Sequence, residues 1–326
     1  MSNTARLAII SDIHYAGPAE AARRGTIFRP ITNPLRRWLV KQHRRWIWLH
    51  DPFGHNHLFE RFLAEVDSPD LVVANGDYSC DSAYVGVMDD AAFQSASLCL
   101  GKLRTRFGPN LRVTIGDHEI GKKMLAAREG GLRLASLRRS QQHLGLDPFW
   151  QMELGRYVLI GVTSTLVGLP VFESETLPDE LPEWRQLRAE HLERIRSAFD
   201  ALRPEQRVLL FCHDPTALPF LAQHEAVRPR LAQIANAVIG HLHSSSLLKQ
   251  SFRLAGIPPI HFLGHTPRRI TLALREARWW KCFNVVLCPS PAGIQLLKDG
   301  GYLTVELDLD AARPPRFECH PLPWTT

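Results

Sequence analysis

Residues 7–14 read Leu-Ala-Ile-Ile-Ser-Asp-Ile-His. A short uncharged run followed at once by a carboxylate and an imidazole predicts a buried strand, Leu7–Ser11, that ends in polar chemistry. The arrangement recurs down the chain. Further strands are predicted at Leu71–Asn75, Leu111–Ile115, Tyr157–Ser164, Arg207–Cys212, Ala237–Ile239, Phe283–Pro289 and Tyr302–Asp308. Helical spacing lies between several of them: Phe59, Phe62, Leu63 and Val66, then Leu192, Ile195, Phe199 and Leu202, the latter stopped by Pro204. Alternating strands and helices predict an α/β architecture. From Cys282 onward strands follow one another without helices, which predicts antiparallel pairing. Residues 15–57 are too long for a βα loop and read as an insertion. Residues 165–182, with three prolines and four acids, read as a long surface loop.

The chain has 326 residues, 45% hydrophobic and 22% charged, which excludes disordered, collagen-like and coiled-coil classes. A single domain over residues 1–326 with an insertion at 15–57 is expected. The six cysteines are scattered and form no C-x-x-C pair, so neither a zinc knuckle nor a dithiol is spelled out, and a reducing cytoplasm is expected. Leu7–Ser11 is too short for a signal-peptide core. The charge-free stretch Tyr157–Phe172 falls short of the roughly 20 apolar residues a spanning helix needs. Net charge is +6, yet residues 21–50 hold eight Arg or Lys and no acid, so the basic character is one local patch.

Potential metal ligands stand at five strand ends: Asp12 and His14; Asp77; Asp117, His118 and Glu119; His213; His241 and His243. In open α/β sheets sites form outside the carboxyl ends of strands, so these residues can converge although far apart in sequence. In extended backbone i and i+2 point to one side, which would let Asp12 and His14, and His241 and His243, each present two donors together. Glycines before Asp77, Asp117 and His241 remove a Cβ where the backbone bends close to the site. Carboxylates mixed with imidazoles suit Mn, Fe, Zn or Co rather than Ca or Cu(I). Using all of them takes two ions. Two dications 4 Å apart repel by about 17 kcal/mol at an effective dielectric near 20, so a shared anion must lie between them. A carboxylate with a hydroxide can serve, and a water held this way ionises near neutral pH to become the nucleophile.

The blocks D-x-H, G-D, G-D-H-E, H and G-H-x-H occur here in that order over positions 12–243, and the sequence resembles the calcineurin-like metallophosphoesterases, whose third block is G-N-H-[D/E]. The resemblance implies a sandwich of two mixed β-sheets flanked by helices and a dinuclear phosphohydrolase. It also implies ligand roles: Asp12, His14 and His243 for one ion, Asp77 as bridge, and Asp117, His213 and His241 for the other. His118, steered by Glu119, would contact phosphate and protonate the leaving oxygen. Manganese is the expected metal. Where that family usually has Asn, this chain has Asp117, which makes the cluster with two ions and hydroxide neutral instead of +1. A tighter second ion or a harder one, and a weaker pull on phosphate, would follow.

Other polar residues read more plainly. Asp214 reads as a loop or supporting residue, His55 and His57 as a loop pair, and His261 and His265 as structural because Gly264 and Pro267 argue against a zinc-binding helix. No P-loop or G-x-G-x-x-G is present.

Residues 34–50 begin with a helix-starting proline and place Leu35, Trp38, Leu39, Trp46 and Leu49 on one side of a helix, with Arg37, Lys41, Arg44 and Arg45 favouring the other. Such a cationic amphipathic helix suits an anionic bilayer surface. Packing of its apolar face on the core, or binding of nucleic acid, are the alternatives, and they apply equally to the basic aromatic stretch Arg268–Lys281. The insert also resembles the hydrophobic inserts of the UDP-diacylglucosamine pyrophosphatases, peripheral membrane enzymes of the same superfamily. Nuclease, cyclic-nucleotide phosphodiesterase, protein phosphatase and a non-catalytic scaffold are the competing readings.

Overall fold

The computed structural model describes residues 3–124, 129–260 and 265–324. Its strands are β1 (Thr4–Ile10), β2 (Leu71–Ala74), β3 (Leu111–Val113), β4 (Phe149–Leu154), β5 (Tyr157–Val162), β6 (Arg207–Cys212), β7 (Ile234–Ile239), β8 (Val286–Leu287), β9 (Gly301–Asp308) and β10 (Arg316–Pro321). They form two five-stranded sheets, ordered β10-β9-β1-β2-β3 and β4-β5-β6-β7-β8. In the first, β1, β2 and β3 are parallel while β9 runs antiparallel to both β1 and β10. In the second, β5 to β8 are parallel and β4 is antiparallel to β5. Both sheets are mixed, as the family resemblance implies.

Period-two alternation explains the layering. Leu7 and Ile9 of β1 and Leu71 and Val73 of β2 face the gap between the sheets, where they meet Leu159 of β5, Leu209 and Phe211 of β6 and Val238 of β7. Their neighbours Ala8, Ile10, Val72 and Ala74 face outward and pack with Phe59 and Phe62 of helix Asn56–Glu65 and Leu100 and Leu103 of helix Asp90–Phe107. On the other sheet Ile160, Val162, Val208 and Leu210 pack outward with Ile195 and Phe199 of helix Leu181–Asp200. Central strands buried on both faces produce the unbroken apolar runs that the sequence displays.

Several expectations are corrected. Residues 165–182 are not a surface loop: Ser164–Val167, Leu169–Phe172 and Glu173–Glu175 are short helical turns, and helix Leu181–Asp200 begins within the span. Leu166, Leu169 and Phe172, spaced by three, are buried in the core, so Pro170 starts a turn instead of marking a loop. Strands β4 and β10 were not predicted, because they lie at sheet edges and alternate with polar or exposed residues. The run Phe283–Pro289 contracts to β8, since Phe283 ends the helical turn Ala277–Phe283, and β8 is parallel to β7. The expected antiparallel closure is carried by β9 and β10.

The insertion contains helix Pro34–Trp46, with Pro34 at its first position and the Asn33 side chain accepting the Arg36 N–H at 3.0 Å. No helix among the described residues is long and apolar enough to cross a membrane.

Candidate metal centre

The carboxyl ends of β1, β2, β3, β6 and β7 open on the same edge of the sandwich, and backbone bonds continue past them. Asn75 N–H donates to Ile10 C=O at 2.7 Å, Thr114 N–H to Ala74 C=O at 2.9 Å, and Gly240 N–H to His213 C=O at 2.9 Å. The residues that follow converge. His213 Nε2 lies 3.2 Å from both Asp77 Oδ2 and Asp117 Oδ1 and 3.8 Å from Asp12 Oδ1. His243 Nε2 is 3.3 Å from Asp12 Oδ1 and 3.2 Å from His14 Nε2. His241 Nδ1 is 3.3 Å from Asp117 Oδ1. All seven sequence-predicted ligands therefore meet, in groups Asp12–His14–His243 and Asp117–His213–His241, with Asp77 grouped with Asp12 and His213 between them.

The local backbone differs from the expected extended form. Asp12, His14, Asp77, His241 and His243 all have φ between 48° and 62°. The Leu242 N–H bonds Gly240 C=O at 2.6 Å around His241, and the Ser244 N–H bonds Leu242 C=O at 2.7 Å around His243. These are two successive three-residue turns of a strained kind. Each alternate residue is thus swung into the centre by a left-handed turn, not by strand alternation. Such strain persists only where the surroundings fix it, and it concentrates at functional sites. Gly76 makes this possible at the second strand: with φ of 94°, a Cβ there would lie 2.7 Å from Gly116 Cα and 2.8 Å from His213 Nδ1.

Electrostatics follow from burial opposed by close partners. Burial would raise the Asp12 carboxyl, but His213, His243 and His14 outweigh it and hold it well below the usual carboxylate range. Burial and Asp117 push Asp77 up, and His118 and His213 more than offset them. Asp117 is likewise lowered against its burial, first by Lys122 and then by His241. His213 is raised despite burial because Asp77, Asp12 and Asp117 surround it, and His241 because of Asp214 and Asp117. His14 is pushed down by burial and by its neighbours His118 and His243.

Acceptor oxygens and imidazole nitrogens crowd one point from several sides. His14 Nε2 faces His243 Nε2, and the lone pair of at least one must point at the other's N–H or at a cation. The His213 Nδ1 contact to Asn75 C=O at 2.7 Å fixes that ring by its far nitrogen, as supporting contacts do for metal-binding histidines, and leaves Nε2 toward the carboxylates. This donor set fits two borderline divalent ions. The sequence profile of the calcineurin-like phosphoesterases matches residues 5–269. The chain belongs to that family. Similar solved structures include a dimetal phosphatase from Danio rerio, 13% identical over 96% of this chain and 95% of that one, with a TM-score of 0.45. GAP50, the anchor in the inner membrane complex of Plasmodium, is 10% identical over 97% and 84%, with a TM-score of 0.40. A conserved Streptococcus pneumoniae protein described as a predicted phosphoesterase is 10% identical over 97% and 98%, with a TM-score of 0.25. No curated protein matches the chain significantly.

In this phosphoesterase His118 sits beside the cluster, its Nε2 3.7 Å from Asp77 Oδ2 and its Nδ1 buried without a partner. Burial pushes it down to about 4. Glu119 does not steer the His118 ring, which corrects that expectation. Its carboxylate accepts the N–H groups of Asp77 at 3.0 Å, Tyr78 at 2.8 Å and Gly116 at 2.9 Å, clamping the second and third ligand loops together. Burial and then Asp77 push it up to about 7 against those three donors. Asp214 supports from outside: its Oδ2 lies 3.7 Å from His241 Nε2 and its Oδ1 accepts the Thr216 N–H. His55 precedes helix Asn56–Glu65 and His57 occupies its first turn, and among the described residues neither joins a candidate metal group. His261 lies outside the described residues, as does the side chain of His265.

Sequence reasoning missed two neighbours. Lys122 Nζ is 3.0 Å from Asp117 Oδ2, and the Trp48 ring packs at 4.7 Å on that of His243. Lys122 is legible only as the third residue after Glu119, and Trp48 only as one of several insert tryptophans.

Proposed function

We propose that this phosphoesterase is a dinuclear metal-dependent hydrolase that cleaves a phosphoester or phosphoanhydride in a substrate presented at an anionic membrane surface. The convergence of the two ligand groups on either side of Asp77 carries the hydrolase reading. Asp12, His14 and His243 would hold one ion, and Asp117, His213 and His241 the other, with Asp77 between. Bound divalent ions supply Lewis-acid polarisation of the phosphoryl group and a water acidic enough to attack it near neutral pH. His118 stands where a leaving oxygen could take its proton. Neutral before substrate binds, it would gain that proton alongside the anionic phosphate, whose charge favours the imidazolium.

The membrane part rests on the insert. Part of the charged side of helix Pro34–Trp46 leans on the protein: half-buried Arg37 donates through Nε to Ile31 C=O at 2.7 Å, while half-buried Arg44 and exposed Lys41 lie 5.5 and 5.6 Å from the Phe28 ring centroid. Its apolar side faces out, with Leu35, Trp38, Leu39 and Trp46 each more than half exposed. Ile47, Leu296 and Leu297 are exposed too, and Leu296 N–H donates to Ile47 C=O. Exposed Arg36 and Arg45 flank the stripe. An apolar ridge edged with arginine suits acyl chains beneath anionic headgroups. Trp48 continues that ridge to His243 at the cluster. A diphosphate attached to acyl chains, as in UDP-diacylglucosamine, fits both ends of the path.

The test combines manganese, a substrate panel and vesicles. Bis(p-nitrophenyl) phosphate should be hydrolysed and EDTA should abolish turnover; UDP-diacylglucosamine should be cleaved faster than DNA or cyclic nucleotides. The protein should sediment with phosphatidylglycerol vesicles, and Leu39→Ser with Trp46→Ser should release it without loss of turnover on the soluble ester. Hydrolysis insensitive to EDTA would contradict the hydrolase reading. Failure to bind the vesicles, or a dimer held by the same ridge, would contradict the membrane one.

A further inference from the structure

An aspartate at position 117 adds one negative charge to the cluster relative to an asparagine, and the fold places one cation directly on it. Lys122 Nζ lies 3.0 Å from Asp117 Oδ2. The two oxygens of Asp117 have separate surroundings: Oδ1 faces His213 Nε2 at 3.2 Å and His241 Nδ1 at 3.3 Å, whereas Oδ2 faces the ammonium. The backbone fixes this arrangement. Gly121 reverses the chain at φ 100°, and a Cβ there would lie 2.7 Å from Val85 C. The Lys122 N–H is then tied to Tyr84 C=O at 3.2 Å. The nearby Arg269 pairs directly with the buried Glu175, its Nη1 3.1 Å from Oε1, and reaches Asp117 only by longer-range attraction. Lys122 has a side chain only 21% exposed, so water screens the pair less than at an open surface.

We propose that Lys122 is the dedicated counter-charge of Asp117, so that aspartate and lysine together give the cluster the net charge a neutral amide at position 117 would give. The proposal rests on the two-metal reading of the site. The tighter second ion, the preference for a harder ion and the weakened pull on phosphate expected from Asp117 alone are then offset. Oδ1 would stay available to an ion beside His213 and His241, while the ammonium at Oδ2 balances the added charge.

A charge-swap series tests this with manganese and inorganic phosphate as probes, binding being measured by calorimetry and folding by thermal unfolding. Lys122→Met should bind manganese at the weaker site about tenfold tighter and phosphate about tenfold weaker. Asp117→Asn should shift both affinities in the opposite directions. The double variant Asp117→Asn/Lys122→Met should return both to within about threefold of wild type, and Lys122→Arg should stay there throughout. The proposal is overturned if Lys122→Met moves neither affinity, if it moves both in the directions seen for Asp117→Asn, or if the double variant is no nearer wild type than the singles. A purely structural lysine would lower the unfolding temperature of Lys122→Met and leave both affinities in place. Wild-type protein that binds no manganese overturns the two-metal reading as well, whereas two bound ions with an inert Lys122→Met overturn this inference alone.

Discussion

His118 lies within reach of both His14 and Asp77, so it could serve either as a ligand or as the acid for the leaving group. Its partnerless Nδ1 and its low proton affinity in the substrate-free site leave the choice to chemistry. An acid matters most where the leaving oxygen is basic. His118→Ala should therefore keep two manganese ions per chain, lose about 10²–10⁴-fold on an alkyl phosphodiester, and lose far less on a p-nitrophenyl ester. Loss of one ion, or an equal loss on both esters, would make it a ligand instead. At this scale the candidate ligands were legible because each follows closely on a strand. Lys122 and Trp48 were not, since loops bring them to the cluster and no spacing marks them.

Between the strand ends and the ligands stand short turns whose shape the sequence disguises. Asp12-x-His14 and His241-x-His243 look like extended pairs, yet their donors are aimed by left-handed residues and three-residue turns. The glycines gave the better clue. Gly76→Ala must either clash with Gly116 and His213 or abandon a φ of 94°. It should lower unfolding free energy by at least about 1–3 kcal/mol in chemical denaturation, together with manganese binding. A variant with wild-type stability and two ions would contradict this account of the turns. Most elements were legible in proportion to burial, the half-buried edge strand β3 excepted. The central strands show as unbroken apolar runs because both faces are covered, whereas edge strands β4 and β10 carry polar residues that hide them. The two basic aromatic stretches show the limit of amphipathicity, which locates a face but not its partner. Trp280 is buried in the core, while Trp38 and Trp46 point away from it.

Over the whole molecule, stability and function separate onto different layers. His191 belongs to the helical layer, buried beside Phe149 with neither ring nitrogen hydrogen-bonded. Burial and then Arg194 lower it to about 3 from 6.5. The folded-state value is depressed, so between pH 6.5 and about 3 only the unfolded chain takes up this proton, and stability falls as pH falls through that window. His191→Leu removes the uptake. The loss of unfolding free energy between pH 7 and pH 4 should shrink by about 3 kcal/mol relative to wild type, at about 1.4 kcal/mol per pH unit. Unchanged pH dependence would contradict it.

The sandwich edge, by contrast, gathers carboxylates and imidazoles that could hold metal ions, with Asp77 among them. Elemental analysis of manganese-saturated, desalted protein, run beside Asp77→Ala, tests that most directly. Two ions per wild-type chain are predicted, with at most one in the variant and turnover of bis(p-nitrophenyl) phosphate lower by on the order of 10²–10³. A wild-type chain holding less than one ion, or an Asp77→Ala chain holding two and turning over normally, would contradict the account.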